Sequence, residues 1–358
     1  MSCSSLPFQR AARSAADVAS TAERRQKDRH SNDIVYVHTV LGYGYAMITS
    51  AHKLSAEMST HRFGGAWTDK KLRALSEYLT QYRLIFTTNE KARYFKTIYL
   101  DGFAGTGARQ DTAAKASEDQ LSLSPELDTE IQEYKRGSAA VALGLASPFD
   151  KYVFVEKMER RAAELRALIR RDFATLEPRS QIEVGDANAF LRMWCAETDW
   201  SKHRGVVFLD PYGMSVNWQT IEGIARTKAI DMWLLFPLGA GINRLLTRGA
   251  LPPPDWAEKV TSILGVPQTV WQPAFYAPSG QTSLFAEDTE KAVKVADFKS
   301  MGDFFMERLK TVFAGVAPHA MPLLNSRKNP MYLLCFAAGN PKGAKTAVKI
   351  ADHLLKGE

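Results

Sequence analysis

The sequence predicts an α/β fold: a mostly parallel, doubly wound sheet with helices on both faces and an antiparallel hairpin at its C-terminal end. Three observations predict it. Apolar runs of strand length alternate with segments whose apolar residues recur every three and four positions, the pattern of strands joined by crossover helices. Successive strand-like runs end in an acid, at Asp101, Glu156 and Asp186, where parallel strands present their carboxyl ends to a ligand. Near the end of the chain, "HAMPLLNS" and "PMYLLCFAA" are separated by "RKN", a gap that suits a hairpin and is too short for a crossover helix.

The elements follow in order. Residues 1–33, rich in Ser, Ala and Arg, carry few large apolar side chains and are expected to stay disordered. "DIVYVHTVLGYGYAMI" alternates apolar and polar residues, which makes residues 34–64 a short strand pair or an irregular extension. The domain expected over 65–358 opens with a helix whose Leu72, Leu75, Leu79, Tyr82 and Phe86 share one face, with Thr68 as its N-cap. "KTIYLD" reads as a strand, "YKRGSAAVALGLA" as a loop running into a helix, and "KYVFVE" as a strand. Met158, Ala162, Leu165 and Ile169 then form the stripe of another helix. "QIEVGD", "GVVFLD" and "DMWLLF" are further strands, each followed by a helix pattern such as Trp218, Ile221 and Ile224, and a later helix falls near 301–314. Residues 108–136 and 249–298 break the alternation; as insertions at strand ends they suit a lid or a substrate wall.

With 358 residues, 45% hydrophobic and 24% charged, the chain has the makeup of a globular protein with a sizeable core. No apolar run reaches the roughly 18 residues of a membrane-spanning helix. Cys3, Cys195 and Cys335 are widely separated and form no Cys-x-x-Cys pair, which argues against a disulfide framework or a zinc site and points to a reducing cytoplasm. Asp17, Glu23 and Asp28 count against an organellar presequence. The net charge of +7 favours a polyanionic partner. Lys70-Lys71, Arg160-Arg161 and Arg170-Arg171 are then either part of a nucleic-acid-facing surface or simply exposed helix faces.

The chemistry concentrates at strand ends. In "YLDGFAGTG", Asp101 stands at the head of a turn formed by Gly102, Phe103, Ala104, Gly105 and Gly107, whose backbone amides can approach a ligand closely. The spacing is neither Gly-x-Gly-x-x-Gly nor a phosphate-binding loop ending in Gly-Lys-Ser or Gly-Lys-Thr. It resembles motif I of amino-methyltransferases acting on DNA or RNA, which wraps S-adenosylmethionine; the alternative is a glycine turn of some other α/β protein. Glu156, followed by Lys157, is placed to accept ribose hydroxyls, and Asp186 to accept an adenine amino group beside the small Ala187. Each acid can equally cap the helix that follows it. Asp210, Pro211 and Tyr212 of "FLDPYGM" resemble the Asp-Pro-Pro-Tyr catalytic tetrapeptide of amino-methyltransferases. There the acid and a proline carbonyl accept hydrogen bonds from the target amino group, and the ring stacks on the base. Here the ring stands one place forward, and a tight turn helped by proline and glycine explains the same letters.

Taken together, "WTDKKLRALSEYL", "YLDGFAGTG", "GSAAVAL", "FVEK", "FLDPYG" followed by "VNW", "LLFPLGAGINRLL" and "YLLCFA" resemble the three-Cys-motif partner (TcmP) family over about residues 65–350. The resemblance implies a class I methyltransferase-like (Rossmann-like) fold, S-adenosylmethionine as cofactor, and a partner protein with three clustered cysteines of radical-SAM type. It also implies that Asn243 and Arg244 of "INRLL" lie near a substrate opening, although an exposed helix start would explain them too. The N-terminal extension departs from the family, and the scattered cysteines are not the partner's cluster. The expected function is thus a methyltransferase without a metal, with the amino group of a nucleic-acid base as favoured acceptor. The alternatives are a partner-binding module that keeps the fold without catalysis, or a methyltransferase of small molecules or proteins.

Overall fold

The computed structural model describes residues 66–106, 137–211, 213–278, 292–325 and 327–356. The expected tail, the 34–64 extension and the 108–136 insertion lie outside the described residues, as does part of the 249–298 insertion.

The described chain starts with helix α1 (Ala66–Thr88), which already includes Thr68 in its first turn instead of using it as N-cap. Then come β1 (Lys96–Asp101), α2 (Ser138–Leu143), β2 (Lys151–Glu156), α3 (Glu159–Asp172), β3 (Ser180–Val184), α4 (Ala187–Glu197), β4 (His203–Leu209), α5 (Trp218–Arg226) and β5 (Ile230–Phe236). A π-helical turn (Leu238–Ile242) and a single helical turn (Asn243–Leu245) follow β5. The 249–298 region is not an open loop: it holds α6 (Pro254–Leu264), α7 (Gln268–Phe275) and the antiparallel pair β6 (Tyr276–Pro278) and β7 (Ala292–Lys294). The chain continues through α8 (Phe298–Lys310), β8 (Gly315–Val316), β9 (Met321–Leu324) and β10 (Pro330–Ala338) to α9 (Ala344–Lys356).

The main sheet runs in the order β3-β2-β1-β4-β5-β10-β8, with β9 also paired to β10. Strands β1 to β5 are mutually parallel. β10 enters antiparallel to β5, and β9 pairs antiparallel to it as the "RKN" gap predicts. This order, which progresses one way from β1 to β3 and the other way from β4 to β5 with the antiparallel β10 beside β5, is the class I methyltransferase-like, Rossmann-like arrangement. It puts a switch point at the carboxyl ends of β1 and β4, where such sheets bind ligands.

Strand alternation assigns every side chain a face. Tyr99, Phe154, Phe208, Trp233 and Phe336 point to the side covered by α1, α2, α3 and α9. Leu100, Val153, Leu209, Leu234 and Phe236 point to the side covered by α4, α5, α6, α7 and α8. On the first face, Tyr78 of α1 meets Trp233 and Phe336 with ring centroids 5.2 and 4.9 Å apart. Such pairs add about 0.5–1.5 kcal/mol each beyond the area they bury. α3 buries Ala162, Leu165, Leu168 and Ile169; Met158, expected in this stripe, precedes the helix and is half exposed, because its extended backbone turns it out of the helical repeat.

A buried acid marks the amino-terminal edge of the sheet. Asp231 accepts a hydrogen bond from the Tyr78 hydroxyl at 2.7 Å, and burial pushes its carboxyl up to about 7 against that bond. The folded pKa lies above the ordinary carboxylate value of 3.8, so the native state binds the extra proton and this group's contribution to stability is present at low pH and lost as pH rises to about 7. Asp231→Asn should remove that loss. In urea unfolding at pH 5 and pH 8, the variant should gain on the parent at pH 8 by about 1–3 kcal/mol, and less at pH 5.

Candidate active site

Asp101 ends β1 on the face that carries α1 and α2, two residues after Tyr99. It is fully buried: one carboxylate oxygen accepts from the Ser138 hydroxyl at 2.6 Å and the other from the Phe103 amide at 3.1 Å. Burial pushes this carboxyl up to about 6. The Ser138 and Phe103 hydrogen bonds and the Lys71 charge oppose the shift, while the neighbouring Asp210 adds to it.

The glycine turn is shaped by what it touches. The Gly102 amide donates to the Phe208 carbonyl at 3.0 Å, and a Cβ on Gly102 would come within 2.7 Å of a Leu209 methyl, so the turn lies tight against the end of β4. Gly105 takes φ +63°, a left-handed conformation that glycine adopts without cost, and aims its amide at a Glu156 oxygen 3.0 Å away. Ala104 is buried and bonded to the Val155 carbonyl, and Phe103 is half buried against the second face. Gly107 lies outside the described residues.

Glu156 receives the Gly105 amide on one oxygen and the Met158 amide, at 2.9 Å, on the other. It therefore ties the glycine turn to the start of α3, and each oxygen keeps a lone pair for a ligand hydroxyl. Lys157 and Met158 beyond it are exposed, and so is Val184, the β3 residue paired with Glu156. Asp186 is the N-cap of α4, accepting from the Ala189 amide at 2.9 Å; it is exposed, and Ala187 beneath it is buried.

Asp210 follows β4 on the same face as Asp101. One carboxylate oxygen holds the Lys71 ammonium at 2.9 Å, with the two side chains 4% and 1% exposed. The other oxygen, Oδ1, is buried with no hydrogen-bond partner among the described residues. Burial lowers the pKa of Lys71 against the charges of Asp210 and Asp101. Pro211 is buried and Gly213 takes φ +60°, a left-handed conformation suited to glycine; Tyr212 lies outside the described residues. The sequence reading placed Lys70 and Lys71 together as a basic pair. Lys70 is exposed, but Lys71 lies one helical turn before Leu75 and extends the buried stripe of α1, which was the signal that it points inward.

Asn188, also missed, joins the loops. Its amide nitrogen donates to the Ser215 carbonyl at 2.7 Å, while its oxygen accepts from the Asn217 amide and the Thr220 hydroxyl at 2.9 and 2.8 Å. It thus pins the segment after Asp210 to the start of α4. Asn243 sits in the turn after β5, where its side-chain oxygen accepts from Lys294 of β7 at 2.6 Å; Arg244 is exposed. Of the other basic pairs, Arg160, Arg170 and Arg171 are ion-paired with Glu164, Glu177 and Asp172, so much of the positive charge on α3 is met locally.

Asn188→Ala should leave the Asn217 amide and the Thr220 hydroxyl without their acceptor. A loss of about 1–3 kcal/mol in urea unfolding is expected, with faster proteolytic nicking near 213–217 in the folded protein.

No family model matches the chain, and no curated protein matches it. Among solved structures, it is similar to a Legionella pneumophila protein of family model DUF519, at 13% identity over 83% of this chain and 93% of that one, with TM-score 0.39. It is also similar to an O-methyltransferase from Bacillus cereus in complex with SAH, at 14% identity over 84% and 90% of the two chains, TM-score 0.32. Spermidine synthase from Thermotoga maritima is similar at 11% identity, over 70% of this chain and 55% of that one, TM-score 0.33.

Proposed function

We propose that this protein is a methyltransferase that binds S-adenosylmethionine at the carboxyl ends of β1, β2 and β3 and methylates an amino group presented at Asp210. The observation that carries this reading is the convergence, at the ends of β1 and β4, of a tight glycine turn and a buried carboxylate with one oxygen unpartnered among the described residues. That oxygen fits a donor N–H of a substrate. The close-packed Gly102 and left-handed Gly105 fit a ligand laid along the turn, and the acids around it favour a cationic sulfonium.

Asp101 and Glu156 would hold the cofactor along the close-packed backbone of the turn, with the exposed Met158 and Val184 offering an apolar shelf beside Asp186 for its base. When bound, S-adenosylmethionine would supply an electrophilic methyl group to the acceptor nitrogen's lone pair, with the C–S electrons leaving on sulfur and the surplus proton passing to water. The chain's own contribution is orientation. Asp210 accepts from the target amino group, and Asn188 holds the loop that follows it. A nucleic-acid base is the favoured acceptor on the strength of the net charge of +7, and a three-cysteine radical-SAM-type protein is the proposed partner on the strength of the motif resemblance. The pairing of Asp210 with Lys71 favours a second reading, a partner-binding module without transfer chemistry, because one acceptor oxygen is already taken.

Calorimetry with S-adenosylmethionine and assays of tritiated methyl transfer to total nucleic acid, with and without the partner, separate these readings. Glu156→Ala should weaken cofactor binding about tenfold or more, by loss of a charged hydrogen-bond acceptor. Because the Asp101 carboxyl lies near 6 and only its ionised form favours the sulfonium, affinity should fall as pH drops through about 6, and Asp101→Asn should flatten that dependence. Transfer should weaken with added salt if phosphates are contacted. Absence of cofactor binding by the parent would reject the methyltransferase reading; binding without transfer to any acceptor would favour the module.

A further inference from the structure

We infer that Lys71 is a positioning residue of the acceptor site: its ammonium fixes one oxygen of Asp210 and so keeps Oδ1, unpartnered among the described residues, for the N–H of the incoming amino group. The inference rests on the methyltransferase reading above and deepens it, because it states why the acceptor oxygen is free and what holds it.

Three observations carry it. The Lys71–Asp210 contact is 2.9 Å with both side chains almost wholly buried, so it is shielded from the water and salt that weaken surface pairs. Lys71 also stands 5.7 Å from the centroid of the Phe208 ring, so the strand that carries Asp210 also borders the ammonium. Finally, Oδ1 of the same carboxylate is buried and has no partner among the described residues, a costly arrangement for a folded protein unless something is meant to complete it.

The chemistry of the pair selects the acceptor. An ionised carboxylate has only acceptor sites and can take a donor N–H, whereas an amide in its place would also present donors. Among the described residues, the charged groups facing Asp210 are Lys71 from α1 and Asp101 from β1, with the Tyr99 hydroxyl near both acids. Lys71 is the cation among them, and without it two carboxylates would face each other at the ends of adjacent strands. The site thus suits an uncharged amino group with an N–H to give, such as the exocyclic amine of a base, and disfavours an anionic acceptor.

The test uses the full chain with Lys71→Met, Lys71→Arg, Asp210→Asn and the double variant Lys71→Met/Asp210→Asn. Each is read by calorimetry with S-adenosylmethionine, by kcat and KM for tritiated methyl transfer, and by thermal unfolding. Lys71→Met should lose about 100-fold in kcat, far more than it loses in cofactor affinity, as expected for a displaced positioning group, while Lys71→Arg recovers part of it. Lys71→Met should also lower Tm by stranding a buried carboxylate, and Asp210→Asn in that background should restore it, although Asp210→Asn in the parent does not raise Tm. Unchanged kcat in Lys71→Met, or equal loss of cofactor affinity and turnover, overturns the inference while leaving the methyltransferase reading in place. So does a double variant no more stable than Lys71→Met. A parent that binds no S-adenosylmethionine, or transfers to no acceptor, overturns both.

Discussion

Two carboxylates, Asp101 and Asp210, end the adjacent strands β1 and β4 on the same face of the sheet, and both are shut away from water. A buried charge is tolerated only where hydrogen bonds or an opposite charge meet it. The surrounding structure supplies both. Ser138 at the start of α2 and the Phe103 amide serve Asp101, and Lys71 of α1 serves Asp210. The docking of α1 and α2 on this face is therefore tied to the site's electrostatics as well as to apolar packing. The same contacts that bury Tyr78 and Leu79 carry Lys71 to its partner.

The site is a set of loops bound to one another. Glu156 holds the glycine turn, Asn188 holds the segment after β4, and Asn243 takes the Lys294 ammonium from the 249–298 region. The first joins the ends of β1 and β2, the second those of β3 and β4, and the third ties the turn after β5 to β7. That arrangement suits transfer chemistry, where holding the acceptor and the reacting group at a fixed distance does most of the work. It also limits how freely the loops can change sequence, since several of these side chains bond backbone groups of another loop.

The positive charge is distributed differently from its first appearance. Lys70-Lys71 and the arginine pairs of α3 look alike as letters, yet Lys71 is a buried counter-ion, and Arg160, Arg170 and Arg171 are met by acids within reach on the surface. Exposed pairs of that kind contribute about 0–1 kcal/mol. Their effect is to lower the net field of the α3 face, so the arginine pairs of α3 contribute less to a polyanion-binding surface than their number suggests.

The sequence by itself determined the sheet and its order of elements, because alternation in strands and three-to-four spacing in helices are local patterns that burial enforces wherever the chain runs. It also located Asp101, Glu156, Asp186 and Asp210, since acids at strand ends and glycine turns are written in consecutive residues. It did not show α9 or the helices within 249–298, where the proline run and polar stretches hid a helical repeat. What tertiary structure alone decided is which acid does what. Asp186 caps α4, Glu156 clamps the glycine turn, and Asp210 is paired with a lysine 139 positions away. Partners so distant in sequence leave no local signature, and only the crossing of α1 over the end of β4 brings them within hydrogen-bond distance.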